Sequence, residues 1–119
     1  MAGYLISFEK GAMDHIPEED WGQAGKAAHA VCQEAKDAGV FVFAGGLSYD
    51  DGDVEHKVVS TDGSVVDGPF SEGKELIGGL LIVDVPTRSE ALEWAAKIAA
   101  ACRCAQDVRK FMHDPELAG

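Results

Sequence analysis

Four side chains that can do chemistry lie close together on one short stretch of the chain. Three are carboxylates and one is an ammonium group, namely Asp67, Glu72, Lys74 and Glu75. Carboxylates crowded together can have separated pKa values, so that one acts as an acid while another acts as a base. We therefore take Asp67 as a candidate catalytic residue and the other three as candidate ligand-binding residues.

The same stretch also admits a structural interpretation. An aspartate before Gly-Pro commonly caps a turn through nearby backbone amides, and Lys74 with Glu75 can form a solvated surface pair. On the functional side, Gly78 and Gly79 keep space clear beside the acids, because a glycine pair in a strand marks a bulge or the close approach of another group. With Phe70, they complete the predicted ligand-binding set.

His29 is the second candidate catalytic residue. It follows Ala28 of an apolar helix stripe, so its ring flanks the buried face and can reach a cavity between helix and sheet. Imidazole exchanges protons near neutral pH, which suits general acid/base catalysis. The alternative is a half-buried histidine that is hydrogen-bonded at a helix edge.

The remaining histidines and the cysteines do not predict a metal centre. His15, His56 and His113 lack the spacing that places three ligands around one ion, and Cys102-Arg103-Cys104 has no second pair to complete a set. An odd number of cysteines fits free thiols in a reducing compartment. Neither glycine pair lies in a strand-to-helix turn with the lysine of a phosphate loop. We expect no metal and no cofactor.

Length and charge restrict the protein class. The 119 residues fit one domain, which we place at residues 1–112, with a C-terminal tail at residues 113–119. The formal charge of -11 disfavours nucleic acid and anionic membranes. No apolar run approaches the roughly 20 residues of a membrane helix, and the first residues lack the pattern of a signal peptide. We expect a cytoplasmic protein.

Apolar periodicity predicts the elements that position these residues. Strands are expected at residues 4–8, 40–44, 76–85 and 105–112, and helices at residues 17–38 and from Thr87 to near Arg103. The second of these strands is apolar throughout, which indicates a central position. Asp62-Gly63 predicts an additional hairpin with a type I′ turn. Trp21 is expected in the core stripe of the first helix.

The order of elements matches a ferredoxin-like βαββαβ α+β fold with an inserted hairpin. Both helices should then cover one face of the sheet, yet the strands are apolar on both faces. A second copy that packs on the uncovered face would make a homodimer. The alternative is that the inserted hairpin and the loops of the same chain cover that face.

Residues 67–79 resemble the signature of the DGPF, or YCII-related, family. The resemblance rests on Asp67-Gly68-Pro69-Phe70, on Lys74-Glu75 and on the double glycine at the family's spacing, whereas Gly73 stands where relatives usually carry threonine. It implies a dimeric α/β barrel. In YCII-like relatives a histidine of the first helix and a nearby aspartate have been suggested as a catalytic pair, which implies a role for His29.

Two functions are compatible with this sequence. The first is a homodimer that binds a small molecule and acts as a lyase-like or degenerate enzyme, because a few YCII-like relatives resemble lyases of chlorinated aromatic breakdown. The second is a non-catalytic regulatory module with a protein partner such as a sigma factor, because some relatives lie beside such factors. The glycines beside the acids favour small-molecule binding.

Overall fold

The computed structural model describes residues 1–49, 56–68 and 76–117. The strands are β1 (Ala2–Glu9), β2 (Phe41–Gly46), β3 (Lys57–Val59), β4 (Val65–Asp67), β5 (Ile77–Val85) and β6 (Asp107–Lys110). The helices are α1 (Trp21–Asp37), which follows a short 3-10 turn at Glu18–Asp20, and α2 (Arg88–Cys102). No helix in these ranges is long and apolar enough to cross a membrane.

Four strands form one antiparallel sheet in the order β2-β5-β1-β6, and β3 pairs with β4 as a separate hairpin. This order is that of a ferredoxin-like fold, with the hairpin inserted between β2 and β5. The predicted α+β fold class is therefore confirmed.

Each helix begins or ends where the sequence indicates. The Thr87 hydroxyl accepts a hydrogen bond from the Glu90 backbone amide at 3.2 Å, which caps the start of α2. Gly39 follows α1 with a φ of 75°, the left-handed conformation that favours glycine after a helix. The helices pack on each other, and Lys97 of α2 pairs with Glu34 of α1 at 2.9 Å.

The prediction for Trp21 is wrong. The residue is 57% exposed, and its indole Nε1 donates a hydrogen bond to the Ile16 carbonyl at 3.0 Å. Ile16, in the loop before the helix, is itself buried, with 3% of its surface exposed. An indole with one polar edge is stable at this boundary, because the edge is hydrogen-bonded while the ring stays partly in solvent.

The prediction of a central second strand is also wrong. β2 is an edge strand, and Val42 and Phe43 are more than half exposed. An apolar run alone does not distinguish a central strand from an edge strand that leaves apolar side chains exposed.

The inserted hairpin is confirmed, but its turn is of another type. Val59 pairs with Val65, and Ser60 and Ser64 are joined by a backbone hydrogen bond, so the loop holds three residues. Gly63 has a φ of 87°, whereas Asp62 does not have a positive φ. Its carboxylate instead accepts a hydrogen bond from the Ser64 amide. This is a turn closed by a left-handed glycine.

The glycine pair of β5 forms the predicted bulge. Phe8 pairs with Gly79 and Glu9 pairs with Ile77, so Gly78 is the extra residue. A Cβ atom on Gly79 would lie 2.6 Å from Cζ of the Phe8 ring, and one on Gly78 would lie 3.0 Å from the Glu9 carbonyl oxygen. Both glycines therefore admit close packing of β1 against β5.

The two faces of the sheet differ in burial. Ile6, Val83 and Val85 face the helices and are fully buried. On the other face, cross-strand pairing puts Phe43, Ile82, Leu5 and Arg109 in one row across all four strands. Leu5 and Ile82 are half-buried and Phe43 is 59% exposed. We call this surface, with Leu80 beside Ile82, the open face.

A Gly79→Ala variant is expected to lose about 1 to 3 kcal/mol of unfolding free energy, because the added methyl group forces the Phe8 ring out of its position. Gly25→Ala in α1 is the matched control. A Cβ atom there meets nothing within 4 Å, so helix propensity should make that variant about 1 kcal/mol more stable. Urea unfolding measures both, and equal stability of Gly79→Ala and wild type would contradict the packing account.

Candidate functional site

The predicted site residues do not all lie together. His29 lies on the exposed side of α1, and Asp67 ends β4 with its side chain 87% exposed. Gly78 and Gly79 lie at the start of β5. Phe70, Glu72, Lys74 and Glu75 lie outside the described residues.

Asp67 is paired with a cation across the hairpin. Lys57 Nζ donates a hydrogen bond to Asp67 Oδ1 at 2.5 Å. This hydrogen bond, together with the positive charge of Lys57, holds the pKa of the Asp67 carboxyl below its usual range. Asp67 is therefore an ionised carboxylate at neutral pH.

A group of polar side chains lies at the end of the sheet where β1 and β2 finish and β5 begins. It consists of Lys10, just after β1, Tyr49, shortly after β2, and His56, just before β3. We call these three residues the sheet-end cluster. β1 and β2 are both antiparallel to β5, so their carboxyl ends meet at this edge.

Tyr49 is the centre of the sheet-end cluster. Its hydroxyl donates a hydrogen bond to the Ile77 carbonyl at 2.7 Å, which fixes the phenol ring against the start of β5. The Lys10 ammonium lies 4.7 Å from the centroid of that ring, within cation-π distance. The His56 ring lies 5.6 Å away, tilted by 55°. One aromatic ring thus contacts both a cation and an imidazole.

His56 carries an unsatisfied polar atom. Its Nδ1 is buried and, within the part of the chain that the structure describes, has no hydrogen-bond partner. Buried polar atoms are nearly always hydrogen-bonded, and an exception needs an explanation such as a bound group. The carbonyl of His56 is occupied, because it accepts a hydrogen bond from the Gly68 amide at 2.7 Å.

The backbone of the sheet-end cluster is hydrogen-bonded to Gly68 and to Leu76. Gly68, just before positions 69–75, is bonded to His56, and Leu76, just after them, accepts a hydrogen bond from the Lys10 amide at 2.7 Å. A Cβ atom on Gly68 would lie 2.8 Å from the Cδ2 atom of the His56 ring, so a glycine is needed for the ring to pack there. Residues on both sides of positions 69–75 therefore contact this cluster.

A shallow depression of about 300 Å³ lies at the start of α1. It is lined by Met13, Asp14, Trp21, Ala24 and Gly25. Met13 and Asp14 belong to the same β1–α1 connection as Lys10. His29 lies four residues beyond Gly25, which puts the two on one side of the helix.

The three cysteines belong to the region where α1 and α2 pack together. Burial, together with a smaller contribution from the nearby thiols of Cys104 and Cys32, raises the pKa of the Cys102 thiol to about 11. Burial also raises the pKa of Cys32 and of Cys104. All three are free thiols, protonated at neutral pH. In the described ranges, no group of three or more His, Cys, Asp or Glu side chains is arranged to hold a metal.

Sequence reasoning did not identify the sheet-end cluster. His56 was considered above only as a metal ligand, and nothing in the local sequence distinguishes Lys10 or Tyr49. The available signal was topological. In a ferredoxin-like fold the residues that follow the first and second strands reach the same end of the sheet.

Comparison with known proteins gives a family and a fold. The sequence profile of the YCII-related domain matches residues 9–109. No curated protein matches the chain. The chain is similar in structure to 5-chloro-2-hydroxyhydroquinone dehydrochlorinase from Burkholderia phenoliruptrix AC1100, solved in complex with 2,5-dihydroxybenzoquinone. The TM-score is 0.51 at 13% identity, over 96% of this chain and 97% of the other. At this identity the likeness concerns the fold alone.

Alkylation should distinguish Cys102 from an ordinary thiol. In the native protein, iodoacetamide should modify Cys102 slowly at pH 8 and faster only as the pH approaches its pKa of about 11, because the thiolate is the reactive form. In urea all three cysteines should react at similar rates. Mass spectrometry of quenched samples measures this. If iodoacetamide modified Cys102 as fast in the native protein as in urea, the Cys102 thiol would not be buried.

Proposed function

The chain belongs to the YCII-related domain family, and from this premise we propose that it is a homodimer that binds a small organic molecule at the sheet-end cluster. The observation that carries the proposal is the buried Nδ1 atom of His56, which has no partner among the described residues. A ligand in contact with this atom would satisfy it. The fold is shared with a dehydrochlorinase that was solved with a bound small molecule, which supports the same proposal.

The proposed chemistry is lyase-like and uses the residues predicted from the sequence. His29 would exchange a proton with the ligand, and Asp67 would serve as an ionised carboxylate, the state in which Lys57 holds it. Phe70, Glu72, Lys74, Glu75, Gly78 and Gly79 would contact the ligand. The backbone hydrogen bonds of Gly68 to His56 and of Lys10 to Leu76 support this part of the proposal.

The homodimer is proposed from the open face. Leu5, Ile82 and Phe43 form a continuous apolar row that neither helix covers. A second copy would remove this row from water and complete a dimeric α/β barrel. Arg109 lies in the same row, where it donates a hydrogen bond to Ser7 Oγ at 3.1 Å and pairs with Asp107 at 3.2 Å, so its charge already has partners. The three free thiols support a cytoplasmic location.

Thermal unfolding in the presence of a library of small ring compounds tests the ligand proposal. At a ligand concentration about 100 times its dissociation constant, the stabilisation should reach about 2.7 kcal/mol. His56→Phe should weaken binding about tenfold or more, because a buried hydrogen bond is lost. His113→Phe, at an exposed site, is the control and should bind as wild type does. Equal binding by wild type and His56→Phe would contradict the proposed site.

Charge placed on the open face tests the homodimer. Phe43→Lys should raise the dimer dissociation constant by about tenfold or more, because an ammonium group would be buried without a partner. Leu92→Lys on α2, where Leu92 is 50% exposed, is the matched control and should leave the constant unchanged. Sedimentation equilibrium measures both. An unaltered constant in Phe43→Lys would show that the copies do not meet on the open face.

A further inference from the structure

The Trp21 ring is an exposed aromatic surface with a defined orientation. It is 57% exposed, yet its indole Nε1 donates a hydrogen bond to the Ile16 carbonyl, which orients the ring. The other tryptophan, Trp94, is half-buried, and the Lys97 ammonium lies 4.9 Å from its ring centroid. No cation of the described residues lies over the ring of Trp21. The face of this indole is therefore available to a cation from outside the chain.

Trp21 also forms part of the depression at the start of α1. Met13 adds a thioether, and Ala24 adds a buried methyl group. Gly25 has no side chain, and a Cβ atom there would meet nothing within 4 Å, so the depression is open on that side. Its volume of about 300 Å³ is small for an enclosed ligand site. A shallow depression of this size suits one side chain of a larger partner.

The polar groups around the depression are acidic. Asp14 lines it, and Glu18 and Glu19 lie on the 3-10 turn that precedes α1. In the part of the chain that the structure describes, none of these three carboxylates forms an ion pair. The chain carries a formal charge of -11, and residues 50–55 and 69–75 are themselves net acidic in sequence. The charge around the depression therefore favours a cation.

We propose that this depression binds an arginine side chain of a protein partner, with the guanidinium stacked on Trp21 and hydrogen-bonded to the Asp14 carboxylate. A guanidinium is planar, stacks on aromatic faces and donates to a carboxylate through two parallel N–H groups. The lysine ammonium is a compact and more strongly hydrated charge that matches a flat wall less well. This interaction goes beyond the proposed function and does not depend on a ligand at the sheet-end cluster.

Three acetylated tripeptide amides that differ only in the central residue test the inference. The central residue is arginine, lysine or citrulline, which has the shape of arginine without its charge. In ¹⁵N-labelled protein, the arginine peptide should shift the indole N–H signal of Trp21, whereas the signal of Trp94 serves as the internal reference. The lysine peptide should bind more weakly, and the citrulline peptide about tenfold or more weakly, because it lacks the charge-assisted hydrogen bonds.

Two pairs of variants locate the contact. Gly25→Gln should abolish the shift of the Trp21 signal, because the new side chain fills the depression, whereas Gly22→Gln should not. Both glycines lie on α1 with open space at the Cβ position, but Gly22 does not line the depression. Asp14→Asn should weaken binding of the arginine peptide about tenfold. Glu93→Gln, an exposed site on α2, makes the same change in net charge and should have no effect.

Each alternative outcome contradicts a stated part of the inference. No shift of the Trp21 signal at about 10 mM arginine peptide would overturn it, because a dissociation constant of about 1 mM is already weak. Equal binding of the citrulline peptide would show that charge is not recognised, and tighter binding of the lysine peptide would overturn the choice of arginine. Equal loss of binding in Gly25→Gln and Gly22→Gln would place the contact outside the depression.

Discussion

The two helices of this protein pack on one face of a sheet whose strands are apolar on both faces. The rest of the structure depends on what covers the other apolar face. Ile6, Val83 and Val85 on the helix face are completely buried. On the open face, Phe43 is still 59% exposed. Apolar surface left in water costs roughly 25 cal/mol per Å², so covering this face is favourable. A second copy offers the same row of residues and can do so symmetrically.

The same strand pairing that creates the open face also positions the sheet-end cluster. β5 lies between β1 and β2, and the Gly78 bulge lets all three strands approach closely where β5 begins. The Leu47 amide donates to the Gly78 carbonyl at 2.8 Å, which keeps the chain after β2 beside β5. Tyr49 is thereby held against Ile77, and Lys10 and His56 meet at its ring. The position of the cluster thus follows from the sheet.

The sequence was sufficient for the order of elements, because helix caps such as Thr87 and turn glycines such as Gly63 act locally. It was insufficient where tertiary packing decides. Trp21 fits the helical stripe but is 57% exposed, with its indole hydrogen-bonded to the Ile16 carbonyl. The sequence of β2 predicts a central strand because its outer face is apolar. Each residue of the sheet-end cluster is unremarkable alone, and only the topology brings Lys10, Tyr49 and His56 together.

Hydroxyl-radical footprinting of the open face tests the central claim, that a second copy covers the uncovered side of the sheet. Phe43 is about as exposed in the single chain as Leu92 of α2. At micromolar concentration, after correction for intrinsic reactivity, Phe43 should be oxidised much more slowly than Leu92, and dilution should abolish that difference. Equal oxidation of the two residues at every concentration would contradict the claim. Protection of Phe43 that persists on dilution would also contradict it, because it would show that the same chain covers the open face.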